Sequence, residues 1–359
     1  MKKLILGLVL LMVAAAGILI LIPSPIDAVA YYPPSPPELT GPLAVNQALD
    51  QIEVLATDSI HGAEDVDVDR LGHIYGATED GAIMRVNTDG TLETLAQTGG
   101  RPLGLHWDAQ GNLIICDAFK GLLSLSPQGT LKTLLTEVDG QPLVFTDDLE
   151  IAADGTIYFT DASTRFDQKH YILDMLEARP WGRLIAYTPA TGATKTLLQG
   201  LYFANGVAVS SNQDFVLVNE TYRYRITRYW ISGPKQGQSD IFIDNLPGFP
   251  DGVSSSGRGT FWVALPTVRN RQADSMHPYP LVKNIVAKLP DFARPQPQPY
   301  GLILELDEQG NILRSLHDPE GDNFPIITSV QESHGKLYLG SLTSSGIGVL
   351  SLAGSDKQE

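Results

Sequence analysis

Residues 147–162 read DDLEIAADGTIYFTDA. A half-apolar run, a turn at Asp154-Gly155 and a second run rich in Ile, Tyr, Phe and Thr make a hairpin signal. The unit recurs as EDVDVDRLGHIYGAT from Glu64, LGLHWDAQGNLIICDA from Leu103, NGVAVSSNQDFVLVNE from Asn205 and DGVSSSGRGTFWVAL from Asp251. A shorter sixth copy, ITSVQESHGKLYLGSL, starts at Ile327. Further strand-like runs follow several copies, as at Ala82–Val86, Leu122–Leu125, Arg183–Tyr187 and Ile226–Ile231. Three or four strands per repeat, over about 40 to 60 residues, suit a propeller blade. A single blade cannot bury both faces, so the copies must stack in a ring. The expectation is an all-β chain, a six-bladed β-propeller over residues 50–354 with an N-terminal hydrophobic anchor helix and a tail at 355–359. A β-sandwich is the rival, and one unit repeated six times favours the propeller.

The remaining composition narrows the function. The chain carries 25 basic and 41 acidic residues, a net charge of −16, so no basic face for nucleic acid is expected. A single cysteine, Cys116, excludes a disulfide framework and a cysteine-rich zinc site. Leu4–Ile22 is a 19-residue apolar run preceded by Lys2 and Lys3, enough to span a bilayer with the remainder outside the cytoplasm. Residues 1–30 therefore read as a signal anchor in the membrane. Ala28-Val29-Ala30 keeps a cleaved signal peptide and a secreted product as the alternative. Residues 31–49 hold five prolines between Tyr31 and Pro42 and read as an extended tether. A Pro-rich insertion from about Pro266 to Tyr300 separates the fifth and sixth copies. Tyr279–Leu289 within it has helical spacing, either packed on the propeller or presented to lipid with Lys283 and Lys288.

Aligning the copies on their turns exposes one register. Glu64, Asp147, Asn205 and Asp251 each lie eight residues before Gly72, Gly155, Gln213 and Gly259; Leu103 holds the place before Gly111. Equivalent positions at the start of inner strands converge on a propeller axis. Three carboxylates and an amide pointing at one axis suit a hard divalent cation, calcium better than magnesium or zinc. Singly, each residue is an ordinary turn former; the shared register favours a site.

The stretches GAEDVDVD from Gly62, RPLGLHWD from Arg101, FTDDLEIAADGTIYFTDAS from Phe145 and GLYFANGVAVS from Gly200 resemble the strictosidine synthase-like family. So do RYRITRYWISGPKQG from Arg223, FIDNLPGFPDGVS from Phe242 and the sixth copy. The resemblance covers roughly residues 50–352. It points to the branch that includes adipocyte plasma membrane-associated protein, in a superfamily with senescence marker protein/gluconolactonase and the paraoxonases. It implies calcium ligands at Glu64, Asp147, Asn205 and Asp251. Asp147 departs from the asparagine usual there, and its extra charge lowers the effective charge on the ion. Glu332 matches the glutamate with which plant strictosidine synthase performs a Pictet–Spengler condensation.

The resulting expectation is a calcium-dependent hydrolase of small-molecule lactones or simple esters. The ion polarises the carbonyl, and Asp251 or Asp147 activates water. Asp148 orients a ligand, and His61 stands close enough in sequence to act as a base. The alternatives are a carbon–nitrogen bond-forming synthase using Glu332 and a non-enzymatic ligand-binding propeller.

Overall fold

The computed structural model describes residues 22–352. The apolar segment Leu4–Ile22, except Ile22 itself, and the 355–359 tail lie outside the described residues. Six four-stranded antiparallel sheets form the blades of a propeller. Blade 1 comprises Val66–Val68, Ile74–Ala77, Ala82–Val86 and Leu92–Gln97. Blades 2 to 5 start with Pro102–Trp107, Thr146–Ile151, Ala204–Val209 and Val253–Ser255. Blade 6 takes Ile327–Ser333, Lys336–Ser341 and Ile347–Ser351 from the carboxyl end. Its fourth strand is Glu53–Leu55, antiparallel to Ile347–Val349. The two ends of the ring are thus hydrogen-bonded together, which removes the open edge that a linear array would leave.

Each blade begins with the strand that lines the axis. The turn after it requires a left-handed residue: Gly72, Gly111, Gly155 and Gly259 have φ between 81° and 86°. Gln213 takes that conformation in blade 4 with φ 58°, which is why the glycine can be absent from one copy. Neighbouring inner strands come closer than a side chain permits. A Cβ on Gly206 would stand 2.3 Å from the Asp251 carbonyl oxygen, and one on Gly252 2.6 Å from that of Thr328. Those approaches are used: Gly206 N–H donates to Asp251 O at 3.0 Å and Gly252 N–H to Thr328 O at 2.7 Å.

Blade faces interlock through apolar side chains. Phe215, Phe242 and Phe261 meet between blades 4 and 5, with ring centroids 5.9 to 6.1 Å apart, among Leu217, Val263 and Leu304. Cys116 is buried in the sheet core between Leu122 and Phe159, an inert position.

The insertion lies inside blade 5, between Thr260–Ala264 and Gly301–Asp307, rather than between two blades. It holds helices of its own. With the blade 3 excursion Tyr171–Glu177 (α1), Arg271–Met276 (α2) and Pro280–Val286 (α3) form a helical cap. Only α3 corresponds to the expected helix, and it is shorter than Tyr279–Leu289. Lys283 is buried and donates to Val29 O at 2.6 Å, so it does not face lipid. The Pro-rich segment is docked: Tyr31 packs edge-on against His277, Arg269 donates to Pro34 O and Asn245 to Ser35 O. Ile26 and Ala28 are buried among Leu173, Phe203 and Ala287.

One histidine ties three blades together in the channel. His106 lies with Nδ1 3.1 Å from Asp67 and Nε2 3.2 Å from Glu150. Burial alone would lower its pKa; Glu150 and Asp67 outweigh that and hold it at about 10. A folded pKa above the unfolded value near 6.5 adds stability that is complete below about pH 6.5. That stability is lost as pH rises through about 10.

Two outcomes follow. Gly206→Ala is expected to cost about 3 kcal/mol or more by urea denaturation, because backbone rather than a flexible side chain opposes the new Cβ. His106→Asn is expected to cost about 3 kcal/mol at pH 6 by leaving two buried carboxylates facing each other. Its deficit relative to the unsubstituted chain shrinks as pH is raised towards 10, measured by thermal unfolding.

Candidate active site at the propeller mouth

Three acids of the second strands set the inner strands in place. Asp117, Asp161 and Glu220 pair in register with Pro102, Thr146 and Ala204, respectively. Each is fully buried, and each carboxylate accepts a backbone N–H from the segment entering its own blade. Arg101 donates to Asp117 at 3.0 Å, Phe145 to Asp161 at 2.8 Å and Tyr202 to Glu220 at 3.0 Å. Arg183 neutralises Asp161 at 2.6 Å, and Arg225 neutralises Glu220 at 2.7 Å. The side chains delivered next to the axis are Leu103, Asp147 and Asn205. The signal for these positioning acids was in the sequence, as the acid closing ICDA, FTDA and LVNE.

Carbonyls at the same register are clamped from the neighbouring blade. Thr328 Oγ1 donates to Glu64 O at 2.6 Å, Thr160 Oγ1 to Asn205 O at 2.9 Å and Asn219 Nδ2 to Asp251 O. By strand register Thr328 is the sixth member of the ring, two residues before Val330 as Glu64 is before Val66. The register extracted from turn spacing missed it because the sixth hairpin is shorter.

Glu64, Asp147, Asn205 and Asp251 together line the floor of one cavity of about 160 Å³. All four are nearly buried. Its walls are mainly apolar: Leu103, Phe145, Phe203 and Phe249 from the blades, Tyr171, Ile172 and Met175 from α1, and Pro295 and Pro297 from the insertion. Burial, then the charges of Asp251 and Asp147, push the Glu64 carboxyl well above its usual range. Burial followed by Asp251 and Asp148 does the same to Asp147. Burial raises Asp251 to about 7 against the lowering effect of a hydrogen bond from Asn205. Asp147 Oδ2 is buried without a hydrogen-bond partner. Arg101, which donates to Gly62 O at 2.9 Å, contributes positive charge toward Asp147.

Among the described residues no group of three or more His, Cys, Asp or Glu side chains is arranged to hold a metal ion. The donor set nevertheless fits a hard cation. Three desolvated carboxylates line one floor, with the charge of Asp251 raising both Glu64 and Asp147, an amide stands beside them, and one carboxylate oxygen lacks any partner.

Three expected residues are placed elsewhere. Glu332 does not line the cavity; its carboxylate accepts from Trp262 Nε1 at 2.8 Å and from Arg258. His61 is exposed and off the cavity wall, because the chain turns outward through a left-handed Gly62 (φ 62°) before the inner strand. Asp148 points down the channel instead of at the floor. Its Oδ2 accepts from Val207 N at 2.8 Å, and Asp65 Oδ2 accepts likewise from Leu105 N at 3.0 Å. These two acids splice the inner strand of blade 1 to that of blade 2 and the inner strand of blade 3 to that of blade 4.

A strictosidine synthase family model matches residues 147–234, and a model for the N-terminal part of strictosidine synthase-like proteins matches residues 41–86. Adipocyte plasma membrane-associated protein of Rattus norvegicus is 37% identical over 362 residues, covering 94% of this chain and 95% of that protein. Strictosidine synthase-like protein 10 of Arabidopsis thaliana is 40% identical over 264 residues, 70% of each chain. Among solved structures, a gluconolactonase of Xanthomonas campestris superposes with TM-score 0.62 at 16% identity, covering 92% and 99% of the two chains. A calcium-binding protein, regucalcin, of Agrobacterium tumefaciens superposes with TM-score 0.59 at 13% identity, covering 83% and 93%. The structures share the six-bladed architecture, and by its curated relatives the chain belongs to the strictosidine synthase-like family.

Proposed function

We propose that this protein is a calcium-dependent hydrolase of apolar lactones or esters, with its site at the mouth of the propeller. The observation that carries the reading is the contrast within one cavity. Three carboxylates and an amide form the floor, while the walls above them are predominantly apolar, with Gln168, Thr221, Thr267, Asn270 and Gln296 the polar exceptions. Glu64, Asp147, Asn205 and Asp251 would hold the ion. A bound calcium ion supplies the positive charge that offsets these carboxylates and polarises a carbonyl.

The chain's own residues do the rest. Phe145, Phe203, Tyr222 and Met175 receive the hydrocarbon part of the substrate and exclude water from it. Asp147 Oδ2, the oxygen without a partner, accepts the proton of an attacking water. That water's oxygen bonds to the carbonyl carbon. The carbon–oxygen bond to the leaving alkoxide then breaks, and the proton passes from Asp147 to the alkoxide oxygen. The relatives named as gluconolactonase and calcium-binding regucalcin support this chemistry by likeness of fold.

The apolar wall supports a second reading, a propeller that binds an apolar ligand without turning it over. Against the synthase reading, Glu332 is engaged by Arg258 and Trp262 away from the cavity.

The test is turnover of a panel of aliphatic lactones and aryl esters by the full chain, with calcium and with excess chelator. Chelation and Asn205→Ala are each expected to reduce kcat/KM by at least about a hundredfold, the scale on which removing one oxyanion-stabilising group acts. Glu332→Gln is expected to leave it within about threefold, as a group remote from the reacting atoms. Turnover insensitive to chelator, or abolished by Glu332→Gln in a folded protein, contradicts the proposal.

A further inference from the structure

Helix α3 has one buried and one open face. Lys283 and Ala287 turn inward, and Val286 packs against the core beside the cavity. Outward stand Leu281, 65% exposed, and Val282, with Tyr279 just before them and Phe292, 87% exposed, just after. Four large apolar side chains thus stand exposed within fourteen residues, a concentration that a soluble surface rarely carries without a partner.

The chain itself identifies what lies against it. Ser24 Oγ donates to Asn284 Oδ1 on α3 at 2.9 Å. Ile22, also exposed, is two residues earlier, within about 7 Å of that bond. Ile22 is the last residue of the 19-residue apolar run that reads as a membrane anchor. A bilayer holding that run therefore meets the protein beside α3. Ile26 and Ala28, buried in the core, fasten this exit point rigidly to the propeller. The local charge suits such a surface. In the same insertion Arg271 is exposed and Lys288 half-exposed, while Arg269 pairs with Asp274, Arg294 pairs with Asp291 and Lys283 is buried, so the net charge on this side is positive in a chain of net −16. A net-positive segment next to an apolar face matches anionic headgroups. The same insertion supplies Asn270, Ala273, Pro295 and Pro297 to the cavity wall.

We infer that the face made by Ile22, Tyr279, Leu281, Val282 and Phe292 rests in a lipid surface, and that the cavity receives a membrane-partitioned amphiphilic ester or lactone from it. The substrate clause rests on the proposed hydrolase function; the docking clause does not. Interfacial contacts of this kind sink about 5–10 Å into the headgroup boundary.

The full chain is incorporated into vesicles of phosphatidylcholine and phosphatidylserine, with and without brominated phosphatidylcholine. Phe292→Trp and Leu281→Trp are compared with Leu313→Trp, an exposed site on an outer blade strand. Fluorescence is corrected for the native tryptophans. Blue-shifted emission quenched by bromine in the first two, and none in the third, is the expected result. Equal quenching in all three, failure of the chain to co-float with vesicles, or a dimer that buries Phe292 overturns the inference. Turnover then tests the substrate clause. Leu281→Ser/Phe292→Ser is expected to lose hydrolysis of a vesicle-borne long-chain ester while keeping that of a soluble short-chain one. Equal loss or equal retention of both refutes delivery from lipid. Quenching without any hydrolysis leaves docking standing and refutes the hydrolase reading.

Discussion

Six backbone strands converge on one axis, and their close approach governs everything built around it. Where Gly206 and Gly252 face neighbouring carbonyls, there is no room for a side chain. The side chains one position earlier, Asn205 and Asp251, consequently line the floor of one cavity with Glu64 and Asp147. Any charge placed at that register is desolvated and shared. The raised carboxyl pKa values are the electrostatic form of the same crowding.

The scaffold meets this strain with buried ionic and hydrogen-bonded supports. Asp117, Asp161 and Glu220 hold the entry to the inner strands from outside. Asp65 and Asp148 splice those strands from beneath, and His106 sits as a cation between Asp67 and Glu150. Acidic residues thus serve two purposes on one axis. Those bonded to backbone N–H groups or paired with a cation make structure. Those left short of partners at the mouth are available to a ligand, and Asp147 Oδ2 is the plainest case.

Much of this was legible in the residues. The repeated strand–turn–strand unit identifies six blades, because a period-two pattern closed by a left-handed turn survives in each copy. Even Gln213 keeps the turn's positive φ. The four ring residues could be read because equal spacing from a turn becomes equal position in a ring. Spacing fails where hairpin length changes, which hid Thr328. It also says nothing of direction. Asp148 is adjacent to Asp147, yet alternation along a strand sends it to the other side, and His61 is turned outward by Gly62. Glu332 sits in a strand, but pairing with Arg258 and Trp262 depends on a blade contact that local sequence does not encode. The cap helices α1 and α2 escaped for a related reason: short helices held by tertiary packing carry weak periodicity.

The central claim is that the floor residues form one cation site. Isothermal titration of the chelator-treated full chain with calcium tests it most directly. The account predicts one ion per chain, with binding weakened by Glu64→Gln, Asp147→Asn, Asn205→Ala and Asp251→Asn alike and unchanged by Glu332→Gln. No saturable binding up to millimolar calcium, or binding indifferent to all four floor substitutions, would contradict it.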